Sequence, residues 1–197
     1  MLIAWLCAGA GSAAPPPDLT ISLSKHVVVY GDPIVLSGNV SLALSSKIVT
    51  ILAQSEGQEQ RELGTVGPGI TGWQFVVRPR IRTSFLSQIE TIVSGTVTVE
   101  VRPRVTLSMR RGIFVAKVTA GKSFEGRSIL LQRLSPKHLW VGVRKAVLRR
   151  NPLEFRLKLR PGRSKIRAFV PRSVAEPGYL DGFSKTLVVT RGAKAKS

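Results

Sequence analysis

The sequence predicts an all-β protein made of two tandem seven-stranded sandwiches. Three observations predict it. Short segments alternate apolar and polar residues with period two, the pattern of strands with one buried and one wet face. Turn chemistry recurs about every ten residues, the spacing of an all-β sandwich or barrel. The landmarks of the first half return in the second: the closing segment Ser94-Gly95-Thr96-Val97-Thr98-Val99 is matched by Ser184-Lys185-Thr186-Leu187-Val188-Val189. No segment holds a helical period over three turns. A chain of 197 residues divides into two blocks of about 85, a size that suits two small cores better than one.

In the first block, Leu19–Leu23 alternates cleanly, and Tyr30-Gly31-Asp32-Pro33 is a turn. Ile34, Leu36, Gly38 and Val40 alternate through the next strand. Ile48–Leu52 is nearly all apolar, as a central strand should be. The polar stretch Gln54–Arg61 predicts a loop, and Gly67-Pro68-Gly69 and Gly72 mark further turns. Trp73, Phe75 and Val77 point one way from the following strand. Ile81–Ile89 is another, and Val97, Val99 and Val101 close the block.

The second block begins without a flexible linker. In Val101-Arg102-Pro103-Arg104-Val105, proline fixes its own φ and biases Arg102 toward extended geometry, which predicts a short stiff joint. Seven candidate strands follow: Val105–Leu107, Phe114–Val118, Ser128–Leu131, Leu139–Val143, Leu153–Leu159, Lys165–Val170 and Thr186–Val189. The domain boundaries predicted are 1–18 for a signal peptide and proline-rich joint, 19–102 for module one, 103–191 for module two, and 192–197 for a disordered tail. Residues 1–14, MLIAWLCAGAGSAA, are an apolar run ending in small residues, an export-signal pattern that lacks only a preceding Lys or Arg. The run is shorter than the roughly 20 apolar residues a bilayer span needs. Its Cys7 is the one cysteine of the chain, so neither block can hold a disulfide.

Several segments resemble a known family. Tyr30-Gly-Asp-Pro-Ile-Val-Leu-Ser-Gly-Asn-Val, Gly72-Trp-Gln-Phe-Val-Val-Arg-Pro, Thr83-Ser-Phe and the Thr96–Val105 joint are similar to the tandem immunoglobulin-like (fibronectin-III-like) modules of exported bacterial proteins. The resemblance implies immunoglobulin-like Greek-key sandwiches acting as spacers, adhesive domains or enzyme appendages, with no shared catalytic residues. The second copy is the more degenerate. Where such modules often carry Tyr after the Thr, this chain has Ser84-Phe85.

Charge is divided between the blocks. Through Val101 there are 6 Lys+Arg against 7 Asp+Glu, a net −1; from Arg102 onward there are 24 against 4, a net +20. A basic domain this extreme predicts a polyanionic partner. The densest pattern is Phe155-Arg156-Leu157-Lys158-Leu159-Arg160, where alternation puts the apolar residues in the core and Arg156, Lys158 and Arg160 in a row about 6–7 Å apart on the other face. Lys117 faces outward on a strand expected to neighbour this one. Lys165 and Arg167 form a second row, and Arg144, Lys145, Arg149 and Arg150 are expected to bracket a loop. These ten residues are the candidate polyanion-binding set.

Other chemistries find little support. Nucleophilic catalysis needs a base within hydrogen-bond reach of its nucleophile, and His26 and His138 lie one in each block, with no G-x-S-x-G elbow around any serine. Glu56, Glu59 and Glu62 cluster beside Arg61 but lack a calcium-loop pattern, and no phosphate loop or metal-ligand spacing is present. Trp73 and Trp140 both fall within apolar alternation and are expected in the cores. Sequence-specific nucleic-acid binding is disfavoured, because base stacking needs aromatics exposed among the cations.

The expectation is a non-enzymatic exported protein without cofactors, extracellular or attached to the cell envelope. Module one is a neutral spacer, and module two contacts an anionic envelope polymer or polysaccharide. A virion or tail-decorating structural protein, and an accessory module of a separately encoded enzyme, are the alternatives.

Overall fold

The computed structural model describes residues 18–191 apart from Thr71 and Arg150. The export-signal segment, the 192–197 tail and the candidate Arg150 therefore lie outside the described residues.

Module one contains β1 (Ser22–Leu23), β2 (Val27–Val29), β3 (Ile34–Asn39), β4 (Val49–Ser55), β5 (Gln60–Val66), β6 (Gly72–Val77), β7 (Thr83–Ile89), β8 (Ile92–Val93) and β9 (Val97–Arg102). One sheet runs β1-β3-β6; the other runs β2-β9-β7-β4-β5, with β8 on the end of β7. Module two repeats the plan with β10 (Arg104–Arg110), β11 (Ile113–Thr119), β12 (Ser128–Leu134), β13 (Trp140–Val147), β14 (Leu153–Phe155), β15 (Gly162–Val170), the single helical turn α1 (Arg172–Ala175), β16 (Gly182–Phe183) and β17 (Leu187–Arg191). Its sheets are β10-β11-β14 and β13-β12-β15, the last strand pairing with both β16 and β17. Each module is thus an immunoglobulin-like sandwich of a three-stranded sheet on a larger one.

Alternation places the core as expected. Leu36, Ile51, Phe85 and Val99 are buried in module one, and Phe114, Ala116, Ile129, Leu131, Ile166 and Ala168 in module two. Phe114 stacks on Phe155 with centroids 5.6 Å apart. Trp73 is buried, as predicted. Gly38 makes its place: a Cβ there would lie 1.8 Å from the Thr20 carbonyl oxygen and 2.7 Å from the Trp73 indole nitrogen.

Four local expectations are corrected. The predicted loop Gln54–Arg61 ends in β5, whose polar face escaped detection because an edge strand is wet on both sides through Leu63. The predicted strand Leu153–Leu159 pairs only through Phe155, although Leu157 and Leu159 still turn inward. Arg144 and Lys145 lie within β13 rather than beside a loop. Trp140 is not a core residue: it sits half-buried at the start of edge strand β13.

Only Pro103 separates β9 from β10, and it is buried. The connection from β15 to β17 folds back over the joint. The Tyr179 hydroxyl donates to the Arg80 carbonyl at 2.6 Å and accepts the Gly121 N–H at 2.8 Å. Leu180 N–H donates to Val101 and Arg82 N–H to Gly178. Arg102 pairs with Asp181 at 2.7 Å, and Arg104 pairs with Asp32. Gly178 has φ +87° and approaches Ile81 so closely that a Cβ would lie 2.4 Å from its Cγ1. Close backbone approach and left-handed geometry together require glycine there.

Candidate anion-binding site at the distal end of module two

Antiparallel order decides which turns share an end. β10 leaves the joint and ends at Arg110; β12 and β14 run the same way, while β11, β13 and β15 return. The turns after β10, β12 and β14 therefore meet at the end far from the joint. They carry Arg110 and Arg111, then Lys137, then Arg156, Lys158 and Arg160. Arg133 is the penultimate residue of β12, Arg163 the second of β15, and Arg191 ends β17 at the same end. No Asp or Glu falls in these turns. Three of module two's four carboxylates, Glu125, Glu176 and Asp181, lie in connections at the joint end, and Glu154 is on β14.

Local geometry explains each presentation. The β10–β11 hairpin has a two-residue loop, Arg111-Gly112, with φ of 48° and 75°. Both central residues at positive φ is the tight hairpin form that matches strand twist, and it projects Arg110 and Arg111 from the tip. His138 also takes positive φ, at 59°, in the β12–β13 turn. The unpaired run after β14 is held by two arginines: Arg144 donates to the Arg156 carbonyl at 2.7 Å, and Arg191 to the Leu159 carbonyl at 2.9 Å. With Leu157 and Leu159 half-buried, Arg156, Lys158 and Arg160 are left exposed.

Arg133, His138, Arg160, Arg163 and Lys165 border one cleft of about 480 Å³ at this end. None of its four Lys and Arg side chains has a carboxylate partner among the described residues. Two unit charges 7 Å apart in water repel by about 0.6 kcal/mol, so such a cluster is tolerable alone and is relieved by a multivalent anion.

The structure distributes the candidate set unevenly. Arg156, Lys158, Arg160 and Lys165 reach the distal end or its cleft. Lys117 does not join them. β11 pairs with β14 as expected, but only from Phe114↔Phe155 to Ala116↔Leu153, so Lys117 and Arg156 fall beyond opposite ends of the ladder. Lys117 instead faces Thr106. Arg149 lies at the joint end of β13, Lys145 is exposed along that edge strand, and Arg144 is engaged with Arg156 and with the Phe155 ring, 5.7 Å from its centroid.

Arg167 is enclosed rather than free. Its guanidinium lies 4.2 Å from the Trp140 ring centroid and 5.4 Å from that of Phe183, and its Nε donates to Gln132 at 2.8 Å. Burial lowers its pKa from the ordinary value, with Asp181 acting in the opposite direction. Arg102 covers Phe183 in turn, 5.4 Å from the centroid. Each such contact is worth about 0.5–1 kcal/mol where exposed, and the series ties edge strand β13 to the joint. Sequence reasoning missed Arg110, Arg111, Arg133 and Arg163. No local signal marks them, because the joint-end connections are basic too, with Lys122, Arg127, Arg149 and Arg172, and only strand order separates the two groups.

His26 and His138 are exposed and belong to different modules. Among the described residues, no three of His, Cys, Asp and Glu group closely enough to hold a metal ion. No helix among them is long and apolar enough to cross a membrane.

No family model matches the chain. No curated protein matches it either. Solved structures similar to it include a cytokine receptor complex, 12% identical over 90% of this chain and 98% of that chain, with a TM-score of 0.40. Another is the FN1–FN3 domains of chicken CNTN1, 11% identical over 89% of this chain and 68% of that chain, with a TM-score of 0.28.

Proposed function

We propose that this protein is a non-enzymatic, exported adhesive or spacer protein whose second module grips an anionic polymer end-on. Module one supplies reach and carries little net charge. The distal end of module two supplies the contact, through Arg110, Arg111, Lys158, Arg160, Arg163 and Lys165. The observation that carries this reading is the distal tip itself, where Arg110, Arg111, Lys137, Arg156, Lys158 and Arg160 meet in turns that hold no Asp or Glu. The partner is an acidic polysaccharide or a polyphosphate-type envelope polymer, because its repeated charges match a cluster of cations rather than a single pocket. Export is supported by the apolar run and small residues of 1–14.

The test is binding of the full chain to heparin and to long-chain polyphosphate across a salt series. Binding at 20–50 mM salt that falls on the order of 100-fold by 200 mM is expected, since each polymer charge neutralised releases a counterion. Absence of binding at the lowest salt overturns the reading.

A further inference from the structure

The flank of module one beside the joint is open. β5 and β6 end different sheets, and each pairs with a strand on one side only. A cleft of about 680 Å³ lies along this opening, within the roughly 300–1,000 Å³ that small organic ligands occupy. Its floor is apolar. Phe75 lies between Trp73 and Val77 in the strand alternation, both of them buried, yet is itself only half-buried because the flank is uncovered. Phe85 lies beneath, and Leu63 and Ile81 border it.

The rim is cationic. Arg61 sits opposite buried Ala53 in the β4–β5 ladder. Residues directly opposite in an antiparallel pair share a face, so Arg61 is directed toward the cleft side of its sheet. Arg80 comes from the turn after β6, and module two contributes Lys122 and Tyr179. Tyr179 is held by its bonds to Arg80 and Gly121, and Lys122 lies over its ring, 5.4 Å from the centroid. Glu56, also at the rim, is paired with Arg82 at 3.6 Å. Arg61, Arg80 and Lys122 have no carboxylate partner among the described residues.

We propose that this cleft binds an amphipathic organic anion, an acyl or aryl carboxylate, with its apolar body on Phe75, Leu63 and Ile81 and its carboxylate among Arg61, Arg80 and Lys122. Charge alone would suit the distal tip equally. The half-exposed aromatic floor does not, and it selects a ligand with an apolar body. Burial lowers the Lys122 pKa, with Arg127 adding to the effect, and a bound carboxylate supplies the counter-charge that this lysine lacks. Because both modules line the rim, the ligand bridges them.

The test is calorimetric titration of the full chain with acetate, hexanoate, octanoate and decanoate below their micellar concentrations. Each fully buried methylene tightens binding by about fourfold at most, so affinity should climb steeply from hexanoate to decanoate, with acetate showing no saturable binding. Arg61→Glu with Lys122→Glu should weaken decanoate at least tenfold, and Arg61→Ala alone should weaken it in the same direction. Arg160→Glu with Arg163→Glu, at the distal tip, should change it less than twofold. Affinity independent of chain length, equal losses from the cleft and tip pairs, or no saturable decanoate binding would each overturn the proposal.

Discussion

The hydroxyl of Ser184 accepts the backbone N–H of Ala168 at 3.0 Å, in the manner that the hydroxyl of Ser94 accepts that of Ser87 at 2.9 Å. Each serine returns its own N–H to the same partner's carbonyl, at 2.9 Å in both modules. Each hydroxyl then donates to the carbonyl of the next residue, Lys185 or Gly95. Both serines are buried. A second device is also duplicated: the β4–β5 and β12–β13 ladders shift register at Ile51/Leu52 and at Leu131/Gln132, just after a fully buried residue in each case. The two modules thus share bonding detail as well as strand order.

This clasp predicts a measurable cost. Ser184→Ala leaves the buried Ala168 N–H without its acceptor, and an orphaned buried donor costs about 1–3 kcal/mol. Urea denaturation should show a lower midpoint with unchanged slope. Ser94→Ala should do the same in module one. Thr186→Ala, exposed two residues further on, should stay within about 0.5 kcal/mol of the parent.

At the joint, Tyr179→Phe removes one donor and one acceptor at once and should destabilise the protein by about 1–2 kcal/mol. Hydrogen exchange at the Gly121 amide should accelerate. Burial raises the Tyr179 phenol above its ordinary pKa, against the smaller opposing pull of the Gly121 bond. The unfolded chain therefore loses this proton first, near pH 10. Stability should fall as pH rises past about 10, and thermal melts of Tyr179→Phe should show a shallower fall.

For the distal tip, the salt series gives a count. Arg160→Ala with Arg163→Ala should reduce the slope of log K against log salt by about 1.4 for a flexible polyanion, roughly 0.7 per lost contact. Arg149→Ala, at the joint end, should leave the slope unchanged. Equal effects from both changes would place the contact elsewhere.

The Arg167 stack can be probed by light. Arg167→Ala should uncover Trp140 and increase acrylamide quenching of tryptophan fluorescence, with a loss of about 1 kcal/mol from the contacts given up. Arg167→Lys keeps the charge but not the planar face that lies on the indole, so it should resemble the alanine variant in quenching.

Much of the core was legible in advance, because inside–outside alternation is a local property of the chain. Leu36, Ile51, Trp73 and Ile166 are buried where period two puts them. β5 was not legible, since an edge strand with Arg61 and Glu62 among its residues satisfies no burial pattern. Trp140 misled for the converse reason: its apolar neighbours Val141 and Val143 are themselves exposed on an edge strand. For the candidate site, the row Arg156, Lys158 and Arg160 was visible in sequence, whereas its neighbours Arg110, Arg111 and Arg133 are separated from it along the chain and meet it only through strand order.

By itself the sequence determined the β class, the two-fold repetition and the partition of −1 against +20, because periodicity and composition are sums over neighbouring residues. Only the tertiary structure decided which cations share the distal tip, that Arg167 is enclosed by aromatic rings, and that an aromatic-floored cleft opens beside the joint. Each of these depends on which distant strands pair and in which direction they run, and that is settled by packing between segments rather than within them.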